Sequence, residues 1–233
     1  SNLYTDLGLL TCDKRVTDEV HEVFNYLTGS SLKTDYRELM VAPINMKSSF
    51  LSKIRAEVDA FKRTGHGLIV AKMNSLEDEV ITEALYEASA AGVKIVLYVR
   101  GFCCLKPGIP GMSENIQVVS VIGRFLEHSR IFYFSGGEKN PLHGEFWIGS
   151  ADWMHRNLHH RVELIVPIYD LRLRERLWDF FEVLRQDNRR AWDLLPDGTY
   201  RQRQPEGQAP ELGSHDVLMA RTLSREKNLG GGE

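Results

Sequence analysis

The sequence predicts an α/β fold, a mixed sheet covered by helices. Three observations predict it. The runs "GLIVAKM" (Gly67 to Met73) and "VKIVLYVRG" (Val93 to Gly101) are apolar and of strand length, and the helical stretch "SLEDEVITEALYEASAAG" separates them. Strand, helix, strand at this spacing implies a right-handed parallel crossover. Four more strand-length runs follow: "IQVVSVIG", "RIFYF", "EFWIGS" and "VELIVPI". The chain has 233 residues, 42% hydrophobic and 26% charged, which is enough apolar material for one good core or two small ones.

Taken in order, "SNLYTDLGLLT" (Ser1 to Thr11) is a short apolar stretch with no neighbouring strand. "TDEVHEVFNYLTG" places Val20, Val23, Phe24 and Leu27 at helical spacing, with Thr17 as the expected N-cap and Gly29 as the stop. "LMVAP" reads as a strand ended by Pro43. "KSSFLSKIRAEVDAFKRTG" is an amphipathic helix ending at Gly65. The next helix takes Ser75 as N-cap, Asp78 as its capping-box partner and Gly92 as its stop. Gly136-Gly137 and "EKNPLHG" make a turn between two strands, and "LRLRERLWDFFEVLRQD" is a long closing helix. After Tyr200 the chain is rich in Gln, Pro, Gly and Arg without an apolar period, so residues 201–233 are expected to form a disordered tail.

Net charge is −3, so no global basic field argues for a nucleic-acid partner, and any anion site must be local. No apolar run approaches the roughly 20 residues that span a bilayer. The cysteines are Cys12, Cys103 and Cys104. An odd count with one adjacent pair reads as reduced thiols of a cytoplasmic protein. "HRNLHH" (His155 to His160) looks metal-like, but no second ligand pair accompanies it in sequence, so no metal ligand is assigned.

In "RFLEHSRIFYF", His128 stands between Arg124 and Arg130. Arginine forks around phosphate oxygens, and histidine carries a proton or a phosphoryl group near neutral pH. Open α/β sheets hold ligands at strand ends. There lie Arg100, Lys72 with Asn74, and the pair Arg156 and Arg161 that brackets "NLHH". Each cation alone reads equally as a solvated strand end. Together they describe an anion clamp.

"LYTDLGLLT", "VRGFCCLKPGIPGMSENIQVVSVIGRFLEHSRIFYF" and "GSADWMHRNLHHRVE" resemble, in order, the C-terminal catalytic region of the bacterial long-chain polyphosphate kinases. The resemblance runs from Leu3 to about Tyr200. It implies a phospholipase D-like α/β fold. Residues 1–35 would be the end of a first such domain, residues 36–200 a second, and 201–233 the tail. It implies reversible transfer of the ATP γ-phosphate to polyphosphate through a phosphohistidine. In that family the nucleophilic histidine sits in an H-x-K motif upstream of "LYTD", so this chain is expected to lack it and to be inactive alone.

Carried over by residue, His128 would contact the nucleotide and act as its proton donor, and Tyr4 and Arg100 would bind nucleotide. Arg130 and Arg161 would bind phosphate, with a structural ion pair as an equal alternative for both. Lys72 and Asn74 are weaker phosphate-binding candidates. Mg²⁺ is expected with ATP but has no ligand assigned here. The partners implied are ATP/ADP, polyphosphate and further copies of the full-length chain, with peripheral membrane association left open. Two alternatives remain at this point. A phospholipase D-type phosphodiesterase predicts two H-x-K motifs, whereas this chain has an H-x-R at His128 and no H-x-K. A non-catalytic nucleotide-binding or dimerisation module is the other.

Overall fold

A computed structural model describes residues 3–229. Nine strands form one mixed sheet in the order β11-β10-β5-β4-β3-β7-β8-β9-β2. The centre is the expected parallel unit. β3 (Leu68–Met73), β4 (Lys94–Val99) and β5 (Ile116–Val121) run parallel, with α3 (Glu79–Ala90) crossing between the first two. β7 (Ile131–Phe134), β8 (Glu145–Gly149) and β9 (Glu163–Ile168) continue antiparallel to β2 (Met40–Ala42) at one edge.

Side-chain alternation divides the sheet into two faces. Ile69, Ala71 and Met73 of β3 face a core built with Phe50 and Ile54 of α2 (Met46–Thr64), Ile81 and Leu85 of α3, and Trp153. Val70 points the other way, into a core with Tyr98, Ile131 and Phe146, covered by Leu177, Phe181 and Leu184 of α5 (Leu171–Gln186). A third cluster, Val16, Val23, Tyr36, Leu39 and Val41, packs α1 (Lys14–Leu27) over the β2 edge. The Glu19 carboxylate ties it down by accepting the backbone N–H groups of Arg37, Glu38 and Leu39.

The structure corrects three expectations. α1 starts three residues before Thr17, capped by Asp13, whose carboxylate accepts the Arg15 N–H. α3 is capped by Asp78 itself, which accepts the Ile81 N–H. Ser75 instead precedes a bridge in which Leu76 pairs with Cys103 and Trp153, so extended pairing outcompetes a longer helix there. Residues 201–229 are ordered. β10 (Ala191–Leu194) and β11 (Tyr200–Gln202) form a hairpin on β5, and α6 (Ser214–Leu229) packs against α5. Polar pins replace the missing apolar period. The Asp187 carboxylate accepts the N–H groups of Arg189, Arg190, Ala191 and Ser214, and Arg203 forks onto Asp193. The last four residues of the expected tail lie outside the described residues.

Candidate functional site

β7, β3 and β4 are neighbours, so the start of β7 and the ends of β3 and β4 meet at one edge of the sheet. The loop after β8 reaches the same edge. Just before β7, the short strand β6 (Leu126–Glu127) pairs in parallel with β1 (Tyr4–Thr5). The His128 N–H then donates to the Thr5 carbonyl at 2.8 Å, and the Tyr4 ring meets the imidazole edge-on at 5.5 Å between centroids. Two residues distant by 124 positions are thereby set side by side.

A continuous polar chain crosses this edge. An Arg100 terminal nitrogen donates to Asn74 Oδ1 at 2.9 Å. The Asn74 amide donates to Asp152 Oδ1 at 3.2 Å, and its backbone N–H to the same oxygen at 2.7 Å. Asp152 takes a two-pronged grip from Arg130, Nε at 3.2 Å and Nη2 at 3.1 Å. The remaining Arg130 prong donates to the His128 carbonyl at 3.0 Å and lies 2.9 Å from His128 Nδ1. Asp152 and Arg130 are 6% and 9% exposed, so the pair is buried and held by geometry that a mobile surface pair lacks.

His128 Nδ1 has two neighbours that require opposite proton placements. Arg130 can donate to it only when it is unprotonated, which leaves the proton of the neutral ring on Nε2. Asp6 Oδ2, at 3.2 Å, can pair with it only when Nδ1 carries a proton. Nδ1 is therefore flanked by one group that suits it bare and one that suits it carrying a proton. Nε2 makes no hydrogen bond among the described residues, and the side chain is one-third exposed. A groove of about 570 Å³ opens here, lined by Asp6, His128, Arg130, Ser150, Arg161 and Val166.

The structure thus brings together Tyr4, His128, Arg130 and Arg161, and links Arg100 to them through Asn74 and Asp152. Arg161 is half exposed, with only a 3.8 Å approach to Glu163, and it keeps its guanidinium available to the groove. Of the two alternatives left open by sequence for Arg130, the structure shows the ion pair, with Asp152, and the remaining prong lies against His128.

Lys72 and Asn74 correct the phosphate-binding expectation. The Lys72 ammonium is buried, is paired with the Glu127 carboxylate, and donates to the carbonyls of Glu127 (3.1 Å) and Ser129 (2.7 Å). Burial pulls its pKa down, against the opposing pull of Glu127. It clamps the two residues flanking His128 instead of facing a ligand. The Asn74 side chain is likewise engaged at both ends. Sequence reading passed over the acids, Asp6, Glu127 and Asp152. The available signal was an aspartate two residues past a strand end otherwise surrounded by cations.

One other cluster has metal-ligand composition. Asp78, His155 and His159 bring a ligand atom each within 4.8 Å of one another. Lys47 already bridges it, at 2.9 Å from Asp78 and 3.2 Å from His159 Nε2. Burial and that ammonium hold His159 below the usual imidazole range. The cluster is closed by its own cation. Two imidazoles also make it a poor match for Mg²⁺, which takes oxygen ligands in octahedral geometry. Among the described residues no helix is long and apolar enough to cross a membrane.

The family model for polyphosphate kinase C-terminal domain 2 matches residues 39–213. The polyphosphate kinases of Thermosynechococcus vestitus and Synechocystis are 51% and 50% identical, each across 96% of this chain and 30% of its own length. The crystal structure of polyphosphate kinase from Porphyromonas gingivalis superposes with a TM-score of 0.86 at 33% identity, covering 94% of this chain and 33% of that one. The chain spans about 30% of the curated relatives it matches. With the domain match extending over most of its length, this chain belongs to the polyphosphate kinase family.

Proposed function

We propose that this chain supplies the nucleotide- and phosphate-holding half of a site that moves the γ-phosphoryl group reversibly between ATP and polyphosphate. The observation that carries the reading is the chain Arg100–Asn74–Asp152–Arg130–His128, which fixes two arginines and an imidazole on one edge. Phosphoryl transfer asks mainly for positioning and for cancellation of charge on the transferring group.

Each residue takes one role in this reading. Arg100 holds the nucleotide phosphates. Tyr4 packs the nucleotide against the His128 ring. His128 as the imidazolium, its Nδ1 proton held by Asp6 Oδ2, donates its Nε2 proton to the ADP oxygen as the bond to the γ-phosphorus breaks, and the neutral ring takes that proton back at Nε2 in reverse. Arg161 offers its guanidinium to the polyanion along the groove. No H-x-K motif occurs in this sequence, so the phosphorylated histidine comes from the remaining length of the longer relatives. Mg²⁺ would accompany ATP, but the Asp78–His155–His159 cluster does not fit it. The lack of any H-x-K motif in this sequence counts against a phospholipase D-type phosphodiesterase.

The test is a pair of substitutions in the full-length enzyme. His128→Ala should lower kcat by about 10²- to 10⁴-fold, the usual range for a general acid, with the fold kept. Arg100→Ala should raise KM for the nucleotide more than it lowers kcat. Near-normal turnover in His128→Ala would overturn the assignment.

A further inference from the structure

We propose that His215, on helix α6, is a positioning residue for Arg100, and that it acts through one buried water shared with the Glu127 carboxylate. The proposal rests on the reading of Arg100 as the nucleotide-holding arginine, and it brings the C-terminal helix into the site's support.

His215 is 5% exposed. Its ring lies against Gly123, where an added Cβ would come within 2.3 Å of Nδ1. Nδ1 accepts the Phe125 N–H at 3.2 Å. An accepting Nδ1 places the proton of the neutral ring on Nε2. Burial keeps this imidazole neutral by lowering its pKa. Nε2 is thus a donor, and it is buried with no partner among the described residues.

A second buried donor in the same condition is Arg100 Nε. A buried donor without an acceptor is costly, and native structures satisfy such groups with protein or with ordered water. Both residues, with Lys72 and Glu127, line one small crevice of about 10 Å³. That is room for about one water. Glu127 provides the acceptor. Its Oε1 takes the Ser129 N–H and hydroxyl, and its Oε2 meets the Lys72 ammonium with lone-pair capacity to spare. A water there would accept from Arg100 Nε and His215 Nε2 and donate to Glu127 Oε2. That makes three bonds, the usual number for a buried water.

The consequence concerns the Arg100 fork. Asn74 holds one terminal nitrogen at 2.9 Å, and Ser120 fixes the Arg100 carbonyl at 2.9 Å. The water would hold the Nε end, so the plane of the guanidinium is set at two points. His215 also holds the Phe125 backbone, one residue before β6 and three before His128. One imidazole on the tail helix therefore braces both halves of the edge.

Three variants of the full-length enzyme and two direct observations test this. His215→Gln keeps an acceptor for Phe125 and an N–H donor. His215→Leu keeps neither. His215→Leu should raise KM for the nucleotide about tenfold, the equivalent of one hydrogen bond to a charged group, with kcat within about threefold. The KM for polyphosphate should not move, and His215→Gln should restore the nucleotide KM to within about twofold. A merely structural role would lower the melting temperature and the active fraction while leaving KM unchanged, and that result overturns the proposal. Arg100→Ala is the control. If it leaves nucleotide KM unchanged, the reading of Arg100 fails, and the water site is then decided separately. For that, nitrogen-15 shifts of wild-type His215 should show protonation on Nε2, and a crystal structure resolving solvent should place one water within hydrogen-bonding distance of both nitrogens. Protonation on Nδ1, or solvent-resolved density without that water, overturns the proposal even if His215→Leu does not fold.

Discussion

Asp152 is the junction of the polar chain, and replacing it should be among the most damaging single changes at this edge. Its carboxylate receives two prongs of Arg130, the Asn74 backbone N–H and the Asn74 amide. In Asp152→Ala the Arg130 guanidinium stays buried with its counter-charge gone, and the Asn74 N–H loses its acceptor. Removing one partner of a buried ion pair costs about 3–5 kcal/mol. For a chain of this size each kcal/mol lowers Tm by about 2–4 °C, so the expected fall is about 6–20 °C. Asp152→Asn keeps an oxygen of the same shape without the charge and should fall between parent and Ala. The decisive measurement is a double-mutant cycle by urea unfolding. Arg130→Met alone leaves Asp152 with its Asn74 donors and should cost less than Asp152→Ala. The pair Arg130→Met with Asp152→Ala should be more stable than the sum of the singles by about 2 kcal/mol, since no buried cation is left uncompensated. Additivity, or an Asp152→Ala loss under about 1 kcal/mol, would refute the buried-pair reasoning.

Three other outcomes are expected. Asp187 is held below the usual carboxylate range, because backbone N–H groups led by Ser214 and Arg190 outweigh the opposing effect of burial. Its contribution is therefore fully present above the unfolded value of about 3.9 and is lost as pH falls through the depressed folded value. Hydrogen exchange at the Ser214 amide should accelerate beyond the intrinsic trend as pH drops from about 5 to 3, and an unchanged protection factor would contradict this docking. Cys103 is pushed up to about 11 by burial, so at neutral pH it should react with a thiol reagent far more slowly than the exposed Cys12 and Cys104. Ser at both 103 and 104 should leave the full-length enzyme's turnover within a few-fold; a loss of roughly 10²-fold or more would make them part of the site.

The parts of this molecule that sequence reveals are those whose cause is local. α2 ends at Gly65 because the left-handed conformation there, φ 72°, suits glycine, and the sequence places glycine there. β3, α3 and β4 follow from apolar period and spacing alone. The tail escaped because residues 201–229 carry no apolar period and the acids that pin them lie upstream. The cause is Asp187, whose carboxylate gathers donors from both ends of a 27-residue excursion. The site divides in the same way. Its cations are legible, since histidine and arginine beside a strand end already suggest an anion. Its acids are not. Asp152 meets Arg130 across 22 residues and Glu127 meets Lys72 across 55, and a lone carboxylate in a loop reads as solvated until the fold brings its partner to it. Each cation's role turns on that distant acid. Lys72 is closed by Glu127 and becomes a clamp, Arg130 is half closed by Asp152 and retains one prong for His128, and Arg161, with only a loose neighbour, remains open to the groove. The grading of the three cations from structural to ligand-facing is therefore set by the acids, and a charge count over the same residues cannot recover it.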